Sequence, residues 1–195
     1  MKICFASNNQ HKIQELNQML SGKHEIVGLG DLGMGITEDI EETGETFEEN
    51  SLIKSRYVFE RFNMPVFADD SGLIVHSLKG EPGVYSARYA GPEKDDEKNM
   101  NLLLNRLSAL KDRNAEFKTV ISFIDVDGQE QLFSGSIAGV ILKEKFGENG
   151  FGYDPIFQPN GYDLTFAQLS SEEKNKISHR AKAVEKLVKH LYNYQ

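Results

Sequence analysis

Pro65-Val66-Phe67-Ala68-Asp69-Asp70-Ser71-Gly72-Leu73 runs from apolar residues into two adjacent carboxylates, a hydroxyl and a glycine. A buried strand delivers polar chemistry to its exposed end in this way, and such an end is a natural place for an active site. Adjacent strand residues point to opposite faces, so Asp69 and Asp70 share a pocket only if the strand is already turning at Ser71-Gly72. One of the two is expected to face a cleft, where a carboxylate holds a hard cation such as Mg²⁺ or draws a proton from water. Asp-Asp-Ser-Gly alone also has the composition of a plain turn, so the surrounding segments decide.

Upstream, Thr46-Phe47-Glu48-Glu49 has the form of a capping box. It predicts a helix from Phe47 to about Phe62, with Leu52, Ile53, Tyr57 and Phe59 or Glu60 flanking its buried stripe and Asn63-Met64-Pro65 ending it. Asn50 and Lys54 fall one turn apart on that helix and can face the same cleft. The acidic run Glu38-Asp39-Ile40-Glu41-Glu42-Thr43-Gly44-Glu45 precedes it. Such a run is usually a solvated loop, yet a hard-cation site needs a second carboxylate, and Glu41 or Glu42 is a candidate partner for Asp70. Further back, Lys2 to Ala6 reads as a first strand, and Glu25-Ile26-Val27 as a short second one. Ser7-Asn8-Asn9-Gln10-His11-Lys12 is a polar turn leading into an amphipathic helix that carries Ile13, Leu16, Met19 and Leu20. Free N–H groups at that helix start, with Ser7, Asn9 and Lys12, can grip a phosphate chain; simple capping by Ser or Asn is the competing explanation.

Downstream, Leu73-Ile74-Val75-His76 predicts another strand, with His76 packed, and Gly80 to Gly91 a long loop. In that loop Arg88 is open to contact with an anion, to stacking on Tyr85 or Tyr89, or to a plain surface role. A helix is expected over Glu93 to Lys111, with Leu102, Leu103, Arg106, Leu107 and Leu110 at helical spacing. Two strand-like runs, Ala115 to Val126 and Gln129 to Leu142, flank Asp127-Gly128 and predict a hairpin, which makes a purely parallel sheet unexpected. Gly147-Glu148-Asn149-Gly150-Phe151-Gly152-Tyr153-Asp154-Pro155 combines backbone freedom with aromatics and a carboxylate, a mixture suited to clamping a flat ring on Phe151 or to forming a rigid turn. Ser170-Ser171-Glu172-Glu173 caps one long C-terminal helix whose first half carries Lys174, Ser178, His179 and Arg180, and whose later apolar positions are core.

The 195 residues suffice for one domain, or one with a second lobe, and one cooperative unit spanning residues 1–195 is expected. No apolar run approaches the ~20 residues that a membrane-spanning helix needs. Met1 to Ser7 enters a strand without the apolar stretch of a secretory signal, so a cytoplasmic protein is expected. The single cysteine, Cys4, excludes an internal disulfide and reads as a packing residue. With 22 Lys+Arg against 30 Asp+Glu, the formal charge of −8 disfavours a long nucleic acid, while leaving room for a small anion held by local donors.

Ser7-x-Asn9-x-x-Lys12, Glu42-Thr43-Gly44-x-Thr46-Phe47-x-Glu49-Asn50, Ala68 to Leu73, Pro82-Gly83-Val84-Tyr85-Ser86-Ala87-Arg88, Phe151 to Pro155 and Ser178-His179-Arg180 occur in this order. Together they resemble the inosine/xanthosine triphosphate pyrophosphatase family, the Ham1-like proteins. The resemblance implies an α/β fold with a mixed central sheet flanked by helices, two lobes with the active-site cleft between them, and a homodimer. It implies hydrolysis of non-standard purine nucleoside triphosphates, deoxy forms included, to monophosphate and pyrophosphate with Mg²⁺. It assigns Asp70 as general base, Asp70 with Glu41 or Glu42 to the metal, and Ser7, Asn8, Asn9, Gln10, His11 and Lys12 to the triphosphate. Ser71, Phe151, Gly152, Tyr153, Asp154, Lys174, His179 and Arg180 match nucleotide-contacting positions, and Lys54 joins the substrate-binding set. Asn8 stands where many members carry glycine. Two other readings remain: a catalytically silent nucleotide sensor, and a pyrophosphatase for modified pyrimidine triphosphates.

Overall fold

The computed structural model describes residues 2–7, 12, 24–33 and 40–193. The expected helix after Lys12 and the start of the acidic run lie outside the described residues. Among the described residues, β1 (Lys2–Phe5), β2 (Glu25–Gly28), β3 (Val66–Val75), β4 (Asn114–Ile124), β5 (Glu130–Ile141) and β6 (Phe157–Pro159) form one sheet in the order β2-β1-β3-β4-β5-β6. β1 is parallel to both β2 and β3, whereas β5 and β6 are antiparallel. β4 and β5 form the predicted hairpin: the bonds Asp125 N–H to Gln129 O and Ile141 N–H to Arg113 O lie on one antiparallel register. The sheet is therefore mixed, as expected, and it is accompanied by α1 (Phe47–Phe62), α2 (Asp96–Arg106), α3 (Ser171–Ile177) and α4 (His179–Asn193).

The chain divides into two compact units, the first formed by Met1–Asp70, Thr119–Ser134 and Ala181–Gln195, the second by Ser71–Lys118 and Gly135–Arg180. In the first, strand alternation builds two cores. Ile3, Phe5, Phe67, Ile121 and Phe123 pack with Ala183, Val184, Leu187 and Leu191 of α4, and the Phe5 and Phe67 rings stack at 4.9 Å. Cys4, Ala6, Val66, Ala68 and Ile124 pack on the other face with Val58 of α1, where burial pushes the Cys4 thiol up to about 12. The same alternation sends Asp69 to the α4 face and Asp70 to the α1 face. In the second unit, Leu73, Val75, Met100, Leu103, Leu107, Phe117, Phe157 and Phe166 belong to a single core.

Several elements differ from expectation. β3 does not end at Asp-Asp-Ser-Gly but runs unbroken to Val75, so sheet pairing overrides local turn chemistry. His76 is exposed in a short 3₁₀ turn, not packed in a strand. α1 has the predicted limits and capping box, yet it buries Phe47, Asn50, Ser51, Ser55 and Val58 while Tyr57 is exposed. Small hydroxyls let this helix approach β4 closely: the Ser122 Oγ lies 2.7 Å from the Ser51 carbonyl oxygen and 2.8 Å from the Ser55 Oγ. α2 is shorter than predicted, beginning at the Asp95 cap and ending at Arg106. Arg113 donates to the carbonyls of Leu107, Ile141 and Leu142, drawing the end of that helix into other bonds, and Leu110 is exposed. The expected single C-terminal helix is two, because Ser178 is extended (φ −64, ψ 156) and a serine favours starting a helix over continuing one.

Candidate active site

In the first unit an acidic cluster forms around the middle of β3. Asp70 is buried on the α1 face and accepts from Asn50 Nδ2 at 3.1 Å. Lys54, one helical turn beyond Asn50, donates to the Asp69 carbonyl at 2.6 Å and forms an ion pair with Glu42. Lys12 pairs with the Asp69 carboxylate at 2.9 Å. Burial pushes the Asp70 carboxyl up to about 6; Lys54 opposes this, Glu42 adds to it, and Lys12 and the Asn50 bond oppose it. Burial works to lower Lys54, but Glu42, Asp69 and Asp70 outweigh it and raise its pKa. Asp70 is thus a carboxylate poised near neutrality, next to two ammonium groups.

Glu41 and Glu42 differ in their surroundings. Glu42 is half-buried and reaches Lys54, whereas Glu41 is exposed. Among the described residues no three His, Cys, Asp or Glu side chains gather as a closed metal site. Mg²⁺ is commonly held by one or two carboxylates together with substrate phosphates, and the hard oxygen donors of Asp70 and Glu42 fit that mode. The Lys54 ammonium, lodged on Glu42 and the Asp69 carbonyl, shows that the surroundings attract a cation.

The second unit gathers an aromatic and basic cluster. Asp154 and Lys174 form a buried ion pair at 2.8 Å, and Asp154 also accepts from the Phe151 N–H at 3.0 Å. Lys174 lies 4.6 Å from the Phe151 ring centroid, with the Arg180 guanidinium at 5.6 Å from the same ring. His179 stacks on Phe117 at 4.8 Å, and His179 and Arg180 are both buried. Gly150 is required twice over: its φ is +80°, and a Cβ there would sit 2.0 Å from Asp154 Oδ2. The next turn is held by the Gly152 N–H donating to Asp96 at 2.7 Å.

The structure therefore brings Lys12, Glu42, Lys54 and Asp70 together in one unit, and Phe151, Asp154, Lys174 and Arg180 in the other. Gly152 adjoins the second group through its backbone. Tyr153 is directed into the core, its hydroxyl donating to the Ser86 carbonyl at 2.8 Å. Ser7 and Ser71 are half-buried, while Asn8, Asn9, Gln10 and His11 lie outside the described residues. Arg88 takes the stacking option, 5.3 Å over Tyr85. Sequence reasoning placed Asn50 near a cleft without giving it a role, and it overlooked Asp69 as the partner of Lys12; the one-turn spacing of Asn50 and Lys54 was the available signal. Phe117, under His179, carried no local signal.

The fold is a mixed α/β sheet whose first unit carries a buried carboxylate beside lysines and whose second unit carries an aromatic and cationic cluster. The chain matches the Ham1 family over residues 3–190 and belongs to it. The dITP/XTP pyrophosphatase of Christiangramia forsetii is 49% identical over 191 residues, covering 98% of this chain and 99% of that protein. The dITP/XTP pyrophosphatase of Flavobacterium psychrophilum is 50% identical over 188 residues, 96% of this chain and 97% of its own. The solved structure of the Staphylococcus aureus Ham1 protein superposes with a TM-score of 0.92 at 46% identity, covering 100% of both chains.

Proposed function

We propose that this chain is a nucleoside triphosphate pyrophosphatase: it hydrolyses non-standard purine nucleoside triphosphates such as dITP and XTP to the monophosphate and pyrophosphate. Near-complete alignment with relatives bearing that name supports the substrate class. The observation that carries the reaction type is Asp70, buried, pushed up to about 6 and held by a neutral amide. In this reading Asp70 takes the proton of a water that attacks the α-phosphorus, and pyrophosphate leaves. Lys12 and Lys54 offset the charge of the phosphate chain. Mg²⁺, held by Asp70 and Glu42, supplies charge neutralisation at the phosphate oxygens when bound. Phe151 stacks on the base, Lys174 and Arg180 offer donors to the 6-carbonyl of a deaminated purine, and the 6-amino group of ATP meets the same donors without an acceptor.

The whole chain acts as a single domain in this proposal, works as a homodimer in the cytoplasm, and does not take a nucleic-acid polymer, consistent with its charge of −8. No helix among the described residues is long and apolar enough to cross a membrane. The test is pyrophosphate release from dITP, XTP, ITP, GTP, ATP and modified pyrimidine triphosphates, with and without Mg²⁺. Release from dITP and XTP that depends on the cation is the expected result. Equal rates across all bases would remove donor-based selection, and binding without turnover would favour a sensor.

A further inference from the structure

Asn50 is wholly buried on α1, and both ends of its amide are engaged. Its Oδ1 accepts from the Gly44 N–H at 2.8 Å, and its Nδ2 donates to Asp70 Oδ2 at 3.1 Å. The two ends of an Asn amide are alike in shape but not in chemistry: a backbone N–H can only donate, so the end that meets Gly44 must be the oxygen. That leaves the NH₂ aimed at Asp70. Gly44 owes its identity to space: a Cβ there would lie 2.7 Å from Asn50 Oδ1 and 2.7 Å from the Glu49 Cβ. The capping box of Thr46 and Glu49 and the contacts of Ser51 and Ser55 with Ser122 hold this part of the helix in place.

We propose that Asn50 is a positioning residue for Asp70, oriented by the Gly44 N–H, so that the loop carrying Glu42 and the carboxylate that accepts the proton are set by one relay. The assignment rests on Asp70 acting as the base of the hydrolysis. The amide pins the carboxylate against rotation about Cβ–Cγ without adding a full positive charge, which a lysine in its place would do. Placement of a reacting group within fractions of an ångström governs turnover more than binding.

The test measures kcat and KM for dITP with Mg²⁺ in wild type, Asn50→Ala, the near-isosteric Asn50→Asp, Gly44→Ala and the Gly44→Ala/Asn50→Ala pair, each normalised to folded protein. Asn50→Ala and Asn50→Asp are expected to lower kcat on the order of 10- to 100-fold with KM changed by no more than about twofold. The double variant is expected to fall no further than Asn50→Ala alone, since both substitutions break one relay. In metal-free, nucleotide-free protein the Asn50 side-chain NH₂ is expected to exchange slowly with solvent, and faster in Gly44→Ala. Wild-type turnover with Asn50→Ala equally fast, multiplicative losses in the double variant, or unchanged amide exchange in Gly44→Ala would each overturn the relay. A wild type that releases no pyrophosphate would overturn the activity and the relay with it.

Discussion

Asp70 and Asp154 are both buried carboxylates, one in each unit, and their neighbours differ in kind. Asp154 is bonded directly to the Lys174 ammonium and to a backbone N–H. Asp70 takes its bond from the neutral amide of Asn50, while Lys54 stands on the Asp69 carbonyl and Glu42. A carboxylate bonded to an ammonium is a structural counter-ion; one bonded to an amide within a desolvated pocket stays available to a proton. On the proposed hydrolysis, chemistry falls to the first unit and recognition to the second.

The sharpest way to break that division is Asp70→Asn. It is expected to lower kcat by roughly 10²–10⁴, the usual worth of a general base, with nucleotide binding retained in a calorimetric titration. Lys174→Met is the counterpart. It strands Asp154 in the core and is expected to destabilise the fold by about 3–5 kcal/mol in denaturant melts, raising KM more than it lowers kcat. If Asp70→Asn moved KM alone, the roles would be reversed.

pH tests the Asp70 side of the comparison by a smaller effect. Asp70 is raised to about 6, so the folded protein holds this proton more tightly than the unfolded chain does. Its favourable contribution is complete below the unfolded value near 4 and is lost as pH rises through about 6. In metal-free protein, Asp70→Asn is therefore expected to out-melt wild type by a margin that grows to roughly 3 kcal/mol above that window, and to show none at acid pH. A constant margin across the range would place the burial cost elsewhere.

The smallest test uses the matched capping boxes, Thr46 on α1 and Ser170 on α3. Either serine or threonine replaced by alanine is expected to cost about 1 kcal/mol. Thr46→Ala, which loosens the helix bearing Asn50 and Lys54, is expected to act on kcat; Ser170→Ala, on the helix bearing Lys174, on KM.

Local patterns made much of this readable in advance. Thr46 and Glu49, Ser170 and Glu173, and Asp127-Gly128 each announce an element boundary through bonds made within a few residues. The polar stripe of α1 was not readable, because Ser51 and Ser55 are buried for the sake of a close approach to Ser122, a residue distant in sequence. The break at Ser178 and the shortened α2 were hidden for the same reason: the groups that compete for their backbone, such as Arg113, belong to other segments.

The Asp127-Gly128 hairpin that makes the sheet mixed, the capped starts of α1 and α3 and the identity of the charged residues follow from the amino-acid sequence by itself, since caps and turns are local. Tertiary structure alone decided that Glu42 and not Glu41 meets Lys54, that Asp70 faces Asn50 while Asp69 faces Lys12, and that Tyr153 is core. Strand parity turns neighbouring residues to opposite faces, and only folding determines what waits on each face.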